Sequence, residues 1–195
     1  MKPASIAFFA TLSLASSACF ANALVSPGHH GEIARSKLSA TPDSEWNRLS
    51  RTDGKNTEIW TIDGDALNKV TFFGGIPSGA ALLRETDKRH RPLPKVAGNM
   101  LITDIPALLE STYRSQFAVN QMRIDTQEPA LLDGHKGIRF TYSFVRADDE
   151  VERRGEAVGA LVSGQLYLVT YEAPALYFFD KDVARFRTLA ASLTL

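Results

Sequence analysis

The 195-residue chain carries 22 basic and 22 acidic side chains, four histidines and one cysteine. So even a balance argues against a strongly electrostatic partner such as duplex nucleic acid. A single cysteine excludes both an intramolecular disulfide and a cysteine-zinc cluster. The length suits one ordinary domain that stands on packing alone.

Residues 1–23 read as an export signal: Lys2 supplies the positive end, Ile6 to Ala15 the apolar run, and small residues follow. The run is about ten residues, whereas a membrane-spanning helix needs roughly 20. Two cutting patterns overlap in it. Ala21-Asn22-Ala23 is an A-x-A pattern, and a cut after Ala23 releases a soluble periplasmic domain, the preferred expectation. Ser16-Ser17-Ala18-Cys19 resembles a bacterial lipobox at its last two positions, with Ser16 where an apolar residue is expected. A cut there lipidates Cys19 and anchors the domain, and membrane attachment is expected in that alternative alone. Removal of residues 1–23 leaves 172 residues with 21 basic and 22 acidic side chains.

Residues 24–44, with Pro27, Gly28, Gly31 and Pro42 and no apolar periodicity, predict a linker. His29 and His30 lie inside it as exposed loop residues with no third metal ligand nearby. A single domain is expected over 45–195. The β-branched and aromatic runs at 58–62 and 68–74 predict strands joined by a turn at 63–67, with Trp46 and Trp60 as core residues. The glycines of 74–83 lack the spacing of a phosphate-binding or dinucleotide loop and predict a plain connection. It runs into the densest basic stretch, 84–95, where Arg84, Lys88, Arg89, His90 and Arg91 form a candidate binding surface, partly offset by Glu85 and Asp87.

A cap at Thr103-Asp104, Pro106 in the first turn, and Leu108, Leu109, Tyr113 and Phe117 at helical spacing predict a helix over 104–117. Phe179, Val183, Phe186 and Leu189 predict a second over 179–191. The segments 117–125, 137–145, 155–162 and 165–171 read as strands; Ile138, Phe140, Tyr142 and Phe144 share one face of the second, and Ser163-Gly164 closes a hairpin. The expected fold is α+β, an antiparallel sheet of about six or seven strands flanked by helices.

In this order the chain resembles the PsbP/DcrB superfamily, an α/β/α sandwich shared by photosystem lumen subunits, bacterial envelope lipoproteins and a small Ran-binding import factor. The residues carrying the resemblance are EIWTIDGDALNKVTFFGGI (58–76), HKGIRFTYSF (135–144) and LYLVTYEAPALYFFDKDVARFRTLAASL (166–193). It spans roughly 45–195, and its motifs describe packing rather than chemistry. The resemblance implies a non-enzymatic binding or assembly role without naming the partner, and no binding residue of the family carries over.

Chemistry-bearing residues are few. The alternative reading is a hydrolase of unrecognised type with His90 or His135 as its acid-base group; a serine hydrolase would need one of them as its base, and no G-x-S-x-G motif is present. Asp148, Asp149 and Glu150 lack the alternation of a calcium loop and are followed by Arg153 and Arg154, so no metal or cofactor is expected. Aromatic residues crowd the segment around YEAPALYFF, and Tyr171, Tyr177 and Phe178 form a second candidate surface, fit for a protein, a lipid or a small apolar ligand. The expected function is that of an exported, non-catalytic envelope protein acting as a binding or accessory factor.

Overall fold

A computed structural model of the chain describes residues 22–117, 119–147 and 150–195. Among the described residues, eight strands form one sheet, and every neighbouring pair is antiparallel. They are β1 (Ala23–Val25), β2 (Trp46–Arg48), β3 (Thr57–Thr61), β4 (Lys69–Pro77), β5 (Val119–Leu132), β6 (His135–Arg146), β7 (Glu152–Val162) and β8 (Gln165–Pro174), in the order β1-β2-β3-β4-β8-β7-β6-β5. The sheet exceeds the six or seven strands expected because the short pair β1 and β2 extends its edge. β4 also runs through Gly74 to Pro77, residues expected to form a loop, by taking up a register shift between Phe73 and Ile76.

Strand alternation gives the sheet two apolar faces. Ile138, Phe140, Tyr142 and Phe144 of β6 join Leu166 and Leu168 of β8 on one face, covered by α1 (Ile105–Phe117) through Ile105, Leu108, Leu109 and Tyr113. Val169, Tyr171 and Ala173 of β8 lie on the other, covered by α2 (Phe178–Ala191) through Phe179, Val183, Phe186 and Leu189. The result is an α/β/α sandwich. Among the described residues, no helix is long and apolar enough to cross a membrane.

The expectation of a linker over 24–44 is corrected. Val25, Ile33, Ala34, Leu38 and Ala40 are buried in the α2-side core beside Trp46 and Trp60. Burying one aliphatic side chain of this size stabilises by about 1.5–3 kcal/mol, enough to hold an otherwise irregular segment on the sheet. Glu58 fixes it further, accepting the Ala34 amide at 3.1 Å and the Trp60 indole N–H at 2.7 Å. The contact also demands Gly74, since a Cβ there would come within 2.8 Å of the Ser36 Cβ. Of the expected signal, residues 1–21 lie outside the described residues, whereas Asn22 accepts the Ser50 amide at 3.1 Å and Ala23 pairs with Arg48.

Candidate functional site

The α1 face of the sheet is apolar along most of its length and polar at one end. The alternation that aims Leu166 and Leu168 at α1 continues to Thr170 and Glu172. In β6 it continues from Phe144 to Arg146, and in β4 from Phe73 through Thr71 to Lys69. α1 ends at Phe117 and covers only the apolar part. The polar end is left as a cleft of about 420 Å³ lined by Arg51, Asp53, Asp65, Ala66, Lys69, Tyr113, Phe117, Phe144, Arg146, Arg153 and Glu172.

Its floor is a buried polar network. Glu172, 4% exposed, accepts the Tyr142 hydroxyl on Oε1 at 2.8 Å, and Lys69 Nζ lies 3.2 Å from Oε2. Tyr142 reaches Glu172 because Gly155, opposite it on β7, has no side chain: a Cβ there would stand within 2.6 Å of ring atom Cε1. Burial, followed by the nearby Glu172 charge, raises both Tyr113 and Tyr142 well above the usual phenol range, so both stay protonated at neutral pH. Nearby, the Oγ1 atoms of Thr71 and Thr170, paired across β4 and β8, are buried without a hydrogen-bond partner among the described residues.

The walls combine rings and guanidinium groups. Tyr113 meets Phe117 edge-on at 5.2 Å and Phe144 at 5.7 Å. The Arg146 guanidinium lies 5.7 Å from the Phe117 ring centroid, within cation–π range. Arg153 donates to the Ala66 carbonyl at 3.0 Å, and Arg51 pairs with Asp53 at 3.3 Å and with Asp65.

None of the candidate binding or acid-base residues read from the sequence lines this cleft. Arg84, Lys88, Arg89, His90 and Arg91 are all exposed in a loop beside α1, where His90, Arg91 and Pro92 border a separate depression with Arg114 and Ser115. His90 is engaged within its own turn, its backbone amide and Nδ1 each 3.1 Å from Asp87 Oδ1. His135 is exposed at the β5–β6 turn. The second surface divides. Tyr171 is fully buried, its ring 5.5 Å from that of Phe186 and its hydroxyl donating to the Phe178 carbonyl, so its expected place on a surface is corrected: β8 turns it into the α2 core. Phe178 is half-buried. Tyr177 stays 65% exposed next to Leu176, at 88%, in a tight turn closed by the Phe178 amide and the Leu176 carbonyl, with Tyr177 at φ 71°, ψ −58°. Asp148 and Asp149 lie outside the described residues. The cleft residues were missed, yet their signal was present: Glu172, Arg146 and Lys69 are charged residues at strand positions where the alternation points inward.

The cyanobacterial PsbP (CyanoP) of Synechocystis superposes on this chain with a TM-score of 0.52, over 95% of this chain and 98% of that one, at 14% identity. The chain has a PsbP-like fold. The Ran-binding protein Mog1p of Saccharomyces cerevisiae covers 89% of this chain and 95% of its own at a TM-score of 0.46 and 6% identity. LpqN of Mycobacterium tuberculosis, described as involved in cell envelope biogenesis, covers 89% and 83% at 0.33 and 8%. Neither a protein-family model nor a curated protein matches the sequence. A PsbP-like fold at this identity fixes the architecture; the chemistry of the cleft must be argued from its own residues.

Proposed function

We propose that the chain is an exported, non-catalytic binding domain of the bacterial envelope, an accessory factor whose ligand or partner docks at the polar end of the α1 face. The observation that carries this reading is the state of the cleft's ionisable groups. Arg51 holds Asp53 and Asp65, Lys69 and Tyr142 hold Glu172, and the buried tyrosines are kept protonated. Charges held in pairs and packed rings suit recognition, and the two phenols, kept protonated, are withdrawn from acid-base exchange at neutral pH. Both histidines of the hydrolase alternative are exposed outside the cleft. Export is supported by the signal-like pattern of residues 1–23.

One observation favours the lipid-anchored form over the soluble one. β1 begins at Ala23 and Asn22 holds the Ser50 amide, so a cut after Ala23 removes part of the sheet's edge, whereas a cut before Cys19 leaves it whole. The test is expression of the full chain in a Gram-negative host, followed by fractionation, intact mass of the purified product and assay against a panel of chromogenic esters. An envelope location, a mass beginning at an acylated Cys19 and ester hydrolysis at the buffer rate are expected. A full-length cytosolic product overturns export, a first residue of Leu24 overturns the anchor, and a hydrolysis rate lost in His90→Ala or His135→Ala overturns the non-catalytic reading.

A further inference from the structure

The lining of the cleft is more polar than apolar: eight of its eleven residues carry a polar side chain, and Ala66, Phe117 and Phe144 make up the rest. Its charged groups are engaged with one another. On the floor, Lys69 lies against Glu172, and both side chains are largely buried. On the wall, Arg51 spans Asp53 and, in the β3–β4 turn, Asp65. Arg146 and Arg153 have partners as well, among them the Phe117 ring for the first and the Ala66 carbonyl for the second. Pairing does not saturate such groups. An ammonium carries three N–H donors and a carboxylate about four acceptor positions, and Glu172 gives one oxygen to the Tyr142 hydroxyl and the other to Lys69.

Paired charges select a ligand by what it can do without parting them. An anion drawn to Arg51 or Lys69 meets Asp53, Asp65 or Glu172 beside it, and a cation drawn to those carboxylates meets Arg51 and Lys69. Either must compete with a standing pair, and separating Lys69 from Glu172 leaves a buried charge uncompensated. An apolar molecule strips water from Arg51 and Asp65 and gives no hydrogen bond in return. A hydroxyl group escapes all three costs. It accepts from the cation and donates to the carboxylate of the same pair, so the pair stays intact. Several hydroxyls on one rigid ring reach two pairs at once, and the C–H groups of that ring cover Phe117, half-buried at the end of α1.

We propose that the cleft is a binding site for a neutral saccharide of one or two rings, its hydroxyls on the Lys69–Glu172 pair of the floor and the Arg51–Asp65 pair of the wall, its C–H groups against Phe117. The space of about 420 Å³ lies within the range of small-molecule sites. This rests on the reading of the chain as a binding domain and specifies the ligand class. The same chemistry is offered by a free saccharide and by the sugar units of an envelope glycan.

The test uses the purified protein, titrated by calorimetry and by amide shift mapping with cellobiose, N,N′-diacetylchitobiose, glucose, benzyl alcohol and two charged counterparts of glucose, glucuronate and glucosamine. At least one of the two disaccharides is expected to bind saturably with a Kd in the low millimolar range or tighter and to shift the amides of Arg51, Lys69, Phe117 and Glu172. Glucuronate, glucosamine and benzyl alcohol are expected to bind more weakly than glucose. Asp65→Ala, a change at an exposed turn, is expected to weaken the disaccharide about tenfold and to reverse the order of glucose and glucuronate, with the thermal midpoint retained. Phe117→Leu covers the case in which Asp65→Ala fails to fold, and is expected to weaken the disaccharide without reversing that order. Co-sedimentation with purified murein sacculi identifies the source: retention assigns a glycan strand, and disaccharide binding without retention assigns a free saccharide. No saturable binding of either disaccharide, shift changes confined to residues outside the cleft, or binding of glucuronate, glucosamine or benzyl alcohol as tight as that of glucose overturns the proposal. Tighter glucuronate or glucosamine in the cleft sinks the ligand class and leaves the binding-domain reading standing, whereas ester turnover sinks that reading itself.

Discussion

Gly155→Ala tests the packing on which the polar end of the sheet depends. The backbone of Gly155 is not left-handed, so alanine is sterically open to it, and in isolation the change would stabilise by about 0.4–1 kcal/mol through the unfolded chain. The Tyr142 ring reverses the sign. It lies across Gly155 so closely that a new Cβ falls within 2.6 Å of Cε1, and the ring must move. Overpacking of this kind costs about 1–3 kcal/mol. A displaced ring also gives up its 2.8 Å hydrogen bond to the buried Glu172 carboxylate, worth about 1.5–3 kcal/mol. The net expectation is a loss of roughly 2–5 kcal/mol, read in urea denaturation as a lowered midpoint at unchanged slope. A second variant isolates the cause. Tyr142→Ala in the Gly155→Ala background removes the clash, so the pair is expected to cost less than the sum of the single changes by at least about 1 kcal/mol. A Gly155→Ala effect within about 1 kcal/mol of zero, or strict additivity of the pair, refutes the argument.

Two further predictions concern buried polar groups. Asn68, fully buried, accepts from the Thr61 hydroxyl and the Ile62 and Asp63 amides and donates to Asp63 at 3.0 Å and Asp182 at 3.1 Å, tying the β3–β4 turn to α2. Asn68→Ala leaves these groups without their common partner and is expected to cost about 2–4 kcal/mol and to raise hydrogen exchange at Ile62 and Asp63; a change below about 0.5 kcal/mol contradicts the assignment. Tyr113, Tyr142 and Tyr171 are raised above the ordinary phenol value by burial first and then by nearby carboxylates. The folded state therefore holds more protons than the unfolded state at alkaline pH. Their contribution to stability is complete below about pH 10 and declines above it, by at most about 1.4 kcal/mol per pH unit for each tyrosine. In a spectrophotometric titration these three phenols are expected to ionise together with the loss of folded signal; reversible ionisation of all five tyrosines of the chain in the folded state at ordinary phenol pH sinks the point.

Local patterns determined much of the molecule. Helical spacing located α1 and α2 to within a residue or two, and strict alternation from Ile138 to Phe144 marked the α1-facing side of β6. These signals are legible because each element repeats a burial pattern over several residues, and the repeat is set by the backbone geometry itself. The segment 24–44 carries no such repeat, and it is held by Glu58 and Gly74, partners well beyond it in the chain that meet its Ala34 and Ser36.

The candidate site divides in the same way. A basic run such as Arg84 to Arg91 stands out in a sequence because its charges are neighbours along the chain, yet the structure leaves it exposed on its own loop. Lys69, Tyr113, Tyr142, Arg153 and Glu172 are each unremarkable among their sequence neighbours. They meet because β4, β8, β7 and β6 lie side by side and α1 ends at Phe117, uncovering the polar ends of those strands. Within β6, α1 and α2 the sequence by itself determined which residues face inward. Only the tertiary structure decided which of the inward charges share a cleft, because that depends on strand order and on where a helix stops.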